Sequence, residues 1–517
     1  MAKKSPQELI EDLLYYANTH LFLSLSDNIY ARNKLLAKLR LSEPTQDSSH
    51  NPINDDFALT KSPAKILSKL SDYAIEQGII EPGKRVNFEN EIMDILCPPP
   101  SFIIDLFDQI ACEKNIKEAC LFLYDFCIKS NYIRYDEVSA NLSWTAPAEK
   151  ADLEITINIA KPEKDNKKTA ELLKKPQTGY PKCPLCKENV GFAGNENYPS
   201  RLTLRTIPIF LNEELWHFQF SPYRYYNEHC IVLSDEHVPM EVNQTTIVRL
   251  FDFIDLFPHY FIGSNAALPR IGGSILNHDH YQGGAHKMPL HKAKIKYRFS
   301  SPDYPDVRIL IPDWYNNVIR IESQNRASLE KMFGQILDYF LEYNNEKLNI
   351  IAYTNEQHNA VTPIARFNED GEYSLDIILR NNRADLEHPD GIFHVCPDLH
   401  NIKKESIGLI EAMGVFILPG RLSKEAEEIK DFLVGKSNFK ELSDPNHPLI
   451  AHTGMIAQLI NDHGTNLSDE DAGAAIEKYI NKACERILKC TALFKDNEQG
   501  EKAFLDFMKN LGFILIN

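Results

Sequence analysis

The order of apolar and polar residues predicts helices near the amino terminus. Ser5-Pro6-Gln7-Glu8 forms a capping box with proline at the first helical position, and apolar residues follow on one face. A second helix is predicted to begin after Ser62-Pro63 and to stop at Gly78. A third is predicted to begin after three consecutive prolines, with Ser101 as its cap. No cluster of reactive side chains accompanies these helices, so we interpret them as scaffold, interface or lid.

Strand patterns begin at residues 153–159, where apolar and polar side chains alternate. The next stretch, 161–168, is rich in charge and is interpreted as a linker or an exposed loop. From 180 to 289 the sequence becomes β-rich and aromatic, with a helix predicted at 245–257. A basic patch for a ligand is an alternative interpretation of 161–168, but a solvated loop is the simpler one.

The same mixture of strands and helices returns between residues 297 and 419, and helices return after it. The predicted elements are strands at 307–311, 350–353 and 374–379, helices at 328–343 and 471–494, and a helix capped by Ser423 that ends at Leu433. The pattern therefore favours an α+β protein with two α+β units in tandem, flanked by helical regions. The expected segments are 1–150 (helical), 151–295 (catalytic unit), 296–422 (second unit) and 423–517 (helical).

Composition narrows the class of protein. Of the 517 residues, 43% are hydrophobic and 25% are charged, which is typical of soluble globular proteins, and no apolar signal segment follows the first residues. The formal net charge of −17 argues against nucleic acid or anionic membranes as partners, because both require clustered cations. The ten cysteines are sparse, so we expect reduced thiols and a cytoplasmic location.

The most informative stretch runs from Gly272 to Gly284, where a His-x-His-x-Gln array lies between two glycine pairs. In an extended strand, His278, His280 and Gln282 would share one face, because side chains alternate with a period of two. The two histidines could be two metal ligands, one ligand and one nucleophile, or two surface residues. The glycines would let a ligand approach the backbone closely, which suits a phosphate.

A second group of candidate ligands is the Cys-x-x-Cys pair at Cys183 and Cys186. The two-residue gap lets both thiolates reach one tetrahedral metal, although two partly buried thiols explain the pair equally well. Histidines downstream could complete a structural zinc site of two sulfurs and two imidazoles. These are His229, His237, His278, His286 and His291.

A third cluster lies at residues 358–366 and 380–383 and mixes amide, hydroxyl and guanidinium groups. Such groups can bind sugar hydroxyls and phosphate, and Arg366 is a candidate for this role. An ordinary polar strand end is the alternative.

The run from Gly272 to Gly284 closely resembles the active-site signature of class II UDP-glucose-hexose-1-phosphate uridylyltransferases, which belong to the histidine-triad-like superfamily. Segments 183–186, 358–366 and 391–411 are similar to that family as well, so the resemblance extends over nearly the whole chain. Two departures are visible: Ala267 stands where an acidic residue usually precedes Leu-Pro, and Asn277 stands where a smaller residue usually precedes the first histidine. Neither change removes a reacting group.

The resemblance implies two tandem histidine-triad-like α/β units with antiparallel sheets, and a reaction without an organic cofactor. UDP-glucose would give its UMP group to His280, and galactose 1-phosphate would then accept it. Gln282 matches the glutamine that holds the phosphate. The remaining expected site residues are Asn265, Gly272, Gly273, Ser274 and Arg366 for substrate, and Cys183, Cys186, His237 and His278 for a structural zinc.

Two other classes of function remain open on the sequence. A histidine-triad hydrolase or phosphorylase would use the same histidines on a nucleotide, and a zinc-stabilised protein could bind sugar nucleotides without reaction. The transferase is favoured because two α+β units suit two sugar phosphates recognised in turn. The expected partners are a UDP-sugar and a hexose 1-phosphate, and a homo-oligomer is compatible with the sequence.

Overall fold

A computed structural model describes residues 4–45, 62–159, 179–273 and 275–516. The chain forms two compact units, each built from segments that are distant in sequence. The first unit takes in residues 1–140, 166–210 and 214–237, and the second takes in 141–165, 211–213 and 238–517. The candidate linker at 161–168 lies outside the described residues.

The helices in the described part of the chain differ widely in length, from single turns to six turns. They are α1 (Pro6–His20), α2 (Asn28–Lys38), α3 (Ala64–Glu76), α4 (Arg85–Leu96), α5 (Pro100–Glu113), α6 (Ile116–Lys129), α7 (Tyr135–Ser139), α8 (Gln244–Leu256), α9 (Pro289–Lys292), α10 (Arg326–Glu342), α11 (Leu409–Ala412), α12 (Arg421–Leu433), α13 (Thr453–His463), α14 (Asp469–Thr491) and α15 (Glu498–Asn510).

The strands are mostly short, and all but the last lie between residues 142 and 419. They are β1 (Leu142–Ala146), β2 (Leu153–Asn158), β3 (Ile207–Leu211), β4 (Glu214–Phe220), β5 (Cys230–Ser234), β6 (Phe261–Gly263), β7 (His280–Gly284), β8 (Ile295–Ser300), β9 (Arg308–Pro312), β10 (Val318–Ser323), β11 (Asn359–Phe367), β12 (Tyr373–Asn381), β13 (Val415–Pro419) and β14 (Ile514–Leu515). Together with the helices they confirm the predicted α+β class.

The first unit contains α1 to α7 and the hairpin of β4 and β5, which pair in antiparallel register. The predicted capping box at the start of α1 is confirmed, because Ser5 Oγ accepts from Glu8 N and Glu8 accepts from Ser5 N. The predicted cap at Ser101 is wrong, since α5 already begins at Pro100. Among the described residues no single helix is long and apolar enough to cross a membrane. One bent pair of helices, Pro82–Leu96 with Pro100–Glu113, is long and apolar enough when the two are taken together, by length and composition only.

The second unit contains most of the β structure. Eight of its strands are neighbours in the order β14-β8-β9-β10-β12-β11-β6-β7, and the pairs recorded among them are antiparallel. A smaller sheet has the order β1-β2-β13, in which β2 and β13 run parallel. The expectation of antiparallel sheets is therefore confirmed except for this one pair.

Helices α8 and α10 pack on one face of the larger sheet, over β6, β10 and β11. Tyr281 of β7 points to this face, because its buried hydroxyl lies 3.5 Å from Arg249 Nη1 of α8. The alternation of a strand then sends His280 and Gln282 to the opposite face. Helix α9 and the chain segment before α11 cover that opposite face, where Arg320 Nη2 donates to Leu290 O and Arg380 Nη2 donates to Ile407 O.

Three local predictions differ from the structure. Residues 350–353 form isolated bridges rather than a strand, because their polar neighbours turn the chain there. Helix α12 begins at Arg421, so Ser423 lies inside it rather than at its cap. Cys396 and Cys490 form a disulfide with their Cα atoms 5.9 Å apart, which makes the expectation of ten reduced thiols wrong for these two. The two cysteines lie 94 positions apart in the chain, so no local sequence pattern indicates that they meet.

Candidate active site

The site is built on β7, the strand that begins at His280. Gln282 lies opposite Gly263 of β6 and Gly284 lies opposite Phe261, so the strand is held in register along its length. His280 and Gln282 share one face of the strand, as predicted. His278 precedes the strand instead of lying on it. The prediction that His278 shares a strand face with His280 and Gln282 is therefore wrong.

His280 is buried, and its Nδ1 lies 2.8 Å from the carbonyl oxygen of His278. A carbonyl only accepts hydrogen bonds, so Nδ1 carries the ring proton and Nε2 is left with a free lone pair. Burial lowers the pKa of His280 to about 4, against the opposing effect of the bond to His278. The imidazole is therefore neutral near pH 7, with a fixed tautomer and one nucleophilic nitrogen.

Two glycines of the motif are required by close backbone contacts. A Cβ at Gly283 would lie 2.2 Å from Phe261 O, and a Cβ at Gly272 would lie 2.2 Å from Ala266 O. Both distances are far below any real contact, so a side chain at either position would force neighbouring backbone segments apart. The glycine pairs thus set the separation of β6 and β7 and the shape of the loop before the strand.

Asn265 links this loop to α11. Its Oδ1 accepts a hydrogen bond from Leu409 N at 2.8 Å, and a Cβ built on Gly273 would lie 3.0 Å from its Nδ2. The structure therefore brings the predicted residues Asn265, Gly272 and Gly273 together in one loop cluster. Ser274 lies outside the described residues.

The candidate zinc ligands form a possible metal-binding cluster. The ligand atoms of Cys183, Cys186, His237 and His278 all lie within 4.8 Å of one another. Cys183 Sγ lies 3.4 Å from Cys186 Sγ, and Cys186 Sγ lies 3.1 Å from His237 Nδ1. Two thiols and two imidazoles are a donor set that structural zinc takes in tetrahedral sites without an open position. The residues therefore fit the metal that the sequence predicted.

Two features outside the predicted ligands support this cluster. Asn189 Nδ2 donates to the carbonyl oxygens of Cys183 and Cys186, both at 2.8 Å, and so fixes the turn that joins the cysteines. Asp279 N donates to Val238 O at 2.7 Å, which fixes the backbone next to His278 against the residue after His237. Such second-sphere contacts orient metal ligands. No sequence signal points to Asn189, because an asparagine three residues after a cysteine is common in turns.

The third predicted cluster divides into two parts. His358 is held by Asn382 Oδ1 at 2.8 Å and Thr354 Oγ1 at 2.7 Å, and Asn359 Nδ2 donates to two carbonyls at the end of α10. These hydrogen bonds fix the side chains of His358 and Asn359 within the fold. Arg366, at the other end of β11, lies apart from them and lines a cavity.

That cavity has a volume of about 700 Å³ and lies in the second unit. Besides Arg366, its wall includes Phe261 and Gly284 of the paired strands β6 and β7, with His291 of α9 and Glu322 of β10. The sequence pattern indicates His291 only as a possible zinc ligand, and it does not indicate Glu322. Neither belongs to a motif, so only the pairing of distant strands reveals them.

The chain is similar to known proteins along nearly its whole length. Residues 23–239 match the family described as galactose-1-phosphate uridyl transferase, N-terminal domain, and residues 253–446 match the C-terminal domain of the same family. A galactose-1-phosphate uridylyltransferase of Caldanaerobacter subterraneus subsp. tengcongensis is 45% identical, with 99% of each chain covered. One of Bacillus subtilis is 40% identical, with 98% of each chain covered.

A crystal structure of yeast Ap4A phosphorylase Apa2 is also similar, with 11% identity, 57% of this chain and 88% of that chain covered, and a TM-score of 0.29. A score that low carries no argument about fold. The two family matches and the relatives that align over nearly their whole length show the family without that structure. The chain belongs to the galactose-1-phosphate uridylyltransferase family.

Proposed function

We propose that this protein transfers UMP from UDP-glucose to galactose 1-phosphate, giving glucose 1-phosphate and UDP-galactose. The names of its relatives support this reaction. The observation that carries the mechanism is the state of His280, whose neutral ring keeps its proton on Nδ1 and presents Nε2 as a nucleophile.

In the first half of the reaction, His280 Nε2 attacks the α-phosphorus of UDP-glucose. A nitrogen–phosphorus bond forms while the bond from that phosphorus to the oxygen of glucose 1-phosphate breaks. The ring becomes positively charged, and the hydrogen bond from Nδ1 to the carbonyl of His278 stabilises that charge, since hydrogen bonds to charged groups contribute roughly 1.5–3 kcal/mol.

In the second half, a phosphate oxygen of galactose 1-phosphate attacks the same phosphorus from the side that glucose 1-phosphate left. The nitrogen–phosphorus bond breaks, and His280 returns to its neutral form without gaining or losing a proton. Gln282 lies on the same face of β7, one step further along the strand, where its amide can donate to a nonbridging phosphate oxygen. We assign it to holding the phosphate in both halves.

We propose that Asn265, Gly272, Gly273 and Ser274 bind the substrate, with Asn265 on the side of the nucleotide. A zinc ion held by Cys183, Cys186, His237 and His278 would be structural: it would fix the residue whose carbonyl orients His280. No step of the transfer requires the metal, because its four ligands leave no open position.

The experiment is single-turnover labelling with UDP-glucose that carries label in its α-phosphate, without an acceptor. We expect about one label per chain in an acid-labile adduct, and galactose 1-phosphate should discharge it as UDP-galactose. His280→Ala should form no adduct. His388→Ala, which removes an exposed histidine paired with Asp385, is the matched control and should label like wild type.

Each alternative gives a different result in this experiment. Discharge of the label mainly to water would indicate a nucleotide hydrolase, and the absence of any adduct would indicate a binding protein. Labelling of His280→Ala would contradict the assignment of the nucleophile.

We also propose a cytoplasmic location and small anionic substrates. We further propose that no nucleic acid or membrane is a partner, in line with the net charge of −17. The four segments bounded at residues 150, 295 and 422 stay a prediction, as does a homo-oligomer. Cell fractionation tests the location, and light scattering of the purified protein tests the oligomeric state.

A further inference from the structure

A second cavity, with a volume of about 430 Å³, lies in the second unit at the end of the larger sheet where β11 begins. Its wall includes Arg270 from the loop before β7, Glu356 and His358 from the segment before β11, and Arg383 and Asp385 from the segment after β12. Three segments that are distant in sequence therefore meet here, and two of them each contribute an arginine.

This cavity is separate from the proposed phosphate position on β7. Ile364 of β11 pairs with Gly263 of β6, which in turn pairs with Gln282. His358 is six residues before Ile364, and a strand rises roughly 3.4 Å per residue, so His358 lies roughly 20 Å along the sheet from the row of Gln282. Arg366 and its cavity lie toward the opposite end of β11. A ligand bound beside His358 would therefore be additional to the substrates.

Arg383 contributes a guanidinium without a hydrogen bond to this cavity. Its side chain is only 20% exposed, and within the described residues its one charged neighbour, Asp385 Oδ2, lies 3.8 Å from Nη2, beyond hydrogen-bond distance. The other oxygen of that carboxylate is occupied, because Asp385 Oδ1 accepts from His388 Nδ1 and from the backbone N–H groups of Glu387 and His388. The side-chain donors of Arg383 are therefore largely withdrawn from water and open to a ligand.

Arg270 contributes the second guanidinium, and the backbone around it holds it in place. Its Nε donates to Asn382 O at 3.0 Å, and its Nη2 pairs with Glu356 Oε1 at 3.2 Å. The side chain of Glu356 is 60% exposed, and a pair this exposed contributes little to stability, so an anion can displace that carboxylate. Arg270 has a φ of 69°, in the left-handed region, where residues other than glycine persist only if the surrounding structure fixes them.

Two guanidinium groups on one cavity favour a phosphate group as the ligand. Each presents paired N–H donors in a plane, which match two oxygens of one phosphate. With Glu356 displaced, the two cations outnumber the remaining carboxylate of Asp385, and together they can balance a phosphate dianion. A water molecule occupies about 30 Å³ in the liquid, so a cavity of about 430 Å³ also has room for the carbon skeleton of a small phosphate monoester.

We propose that this cavity is an anion site that binds a phosphate group between Arg270 and Arg383. The ligand is inorganic phosphate or a small phosphate monoester, and Glu356 swings away from Arg270 when the ligand enters. The site does not depend on the proposed UMP transfer, because neither His280 nor Gln282 takes part in it.

The test measures the midpoint of thermal unfolding of the full chain against phosphate concentration, at fixed pH and ionic strength. A ligand that binds only the folded chain raises this midpoint, and the concentration dependence gives its dissociation constant. In Arg383→Met the dissociation constant should rise at least about 10-fold, because charge-assisted hydrogen bonds are lost. In Glu356→Gln it should fall by about 2-fold to 5-fold, because the competing carboxylate is gone.

Two further proteins show whether the effect belongs to this cavity. Arg298→Met is the matched control: it removes an exposed arginine of β8 and should leave the dissociation constant within about 2-fold of wild type. Gln282→Leu removes the phosphate position proposed on β7. The effect of Arg383→Met should appear in that background as well, whether or not the wild-type protein transfers UMP.

A parallel titration with glycerol 1-phosphate distinguishes the two sources of the phosphate group. Tighter binding than that of inorganic phosphate identifies a monoester as the ligand, and weaker binding identifies inorganic phosphate. The proposal is overturned if Arg383→Met responds to both compounds as wild type does, or if Arg298→Met loses the response to the same extent. If Arg383→Met shows no thermal transition, Arg383→Gln takes its place in the same comparison.

Discussion

Replacing Asp376 by asparagine should destabilise the second unit strongly, because Asp376 neutralises a buried arginine. Arg320 Nε lies 2.6 Å from Asp376 Oδ1, and Arg320 Nη2 lies 2.9 Å from Asp376 Oδ2. Arg320 is 4% exposed and Asp376 is 1% exposed, so little water can replace the lost partner. The pair joins β10 to β12, and Arg320 Nη2 also holds Leu290 at the start of α9, beside His291.

The expected loss follows from leaving one charge buried without its counter-charge. Removing one partner of a buried, bidentate ion pair typically costs 3–5 kcal/mol, and we expect Asp376→Asn to lie in this range of about 3–5 kcal/mol. Replacing both partners, as in Arg320→Met with Asp376→Leu, should recover most of that loss, because two apolar side chains of similar volume leave no charge behind.

The assay is equilibrium unfolding in urea, followed by two spectroscopic probes to confirm a single transition. Lys424→Met serves as the control. It breaks the 3.4 Å pair with Glu428 on an exposed helix face and should change the unfolding free energy by less than about 0.5 kcal/mol. A loss under about 1 kcal/mol in Asp376→Asn, or a double variant as unstable as the single one, would refute the reasoning.

Three further predictions concern the metal, the strand pair and pH. Cys183→Ser should reduce the zinc content of purified protein from about one ion per chain, as measured by elemental analysis, whereas absence of zinc from wild type would contradict the proposed cluster. Gly283→Ala should destabilise the protein by about 1–3 kcal/mol or more in urea and slow adduct formation, because its Cβ would lie 2.2 Å from Phe261 O; unchanged stability would mean that β6 and β7 separate freely. Burial lowers the pKa of Lys495 from 10.5 to about 8, so between these pH values the unfolded chain binds a proton that the folded chain has released. The wild-type unfolding free energy should therefore rise over that window by up to about 3 kcal/mol relative to Lys495→Met, and parallel pH profiles of the two proteins would contradict this.

Part of the fold could be predicted because it depends on neighbours in sequence. The capping box at Ser5 is local chemistry, and the alternation in 153–159 reappears as β2, Leu153–Asn158. The same period of two correctly put His280 and Gln282 on one strand face. The start of α5 is predicted less well, because prolines and a serine stand side by side there and both favour a helix start. The helix begins at Pro100, ahead of the predicted cap Ser101.

The sequence by itself determined which residues of β7 are the candidates for chemistry, since the residue types and their spacing already separate His280 and Gln282 from their neighbours. Only the tertiary structure decided that His278 leaves the strand and turns its carbonyl to His280, and that His291 and Arg366 share a cavity. It also decided which two cysteines form a disulfide. These relations depend on strand pairing and packing between residues far apart in the chain, and no periodicity within one segment records them.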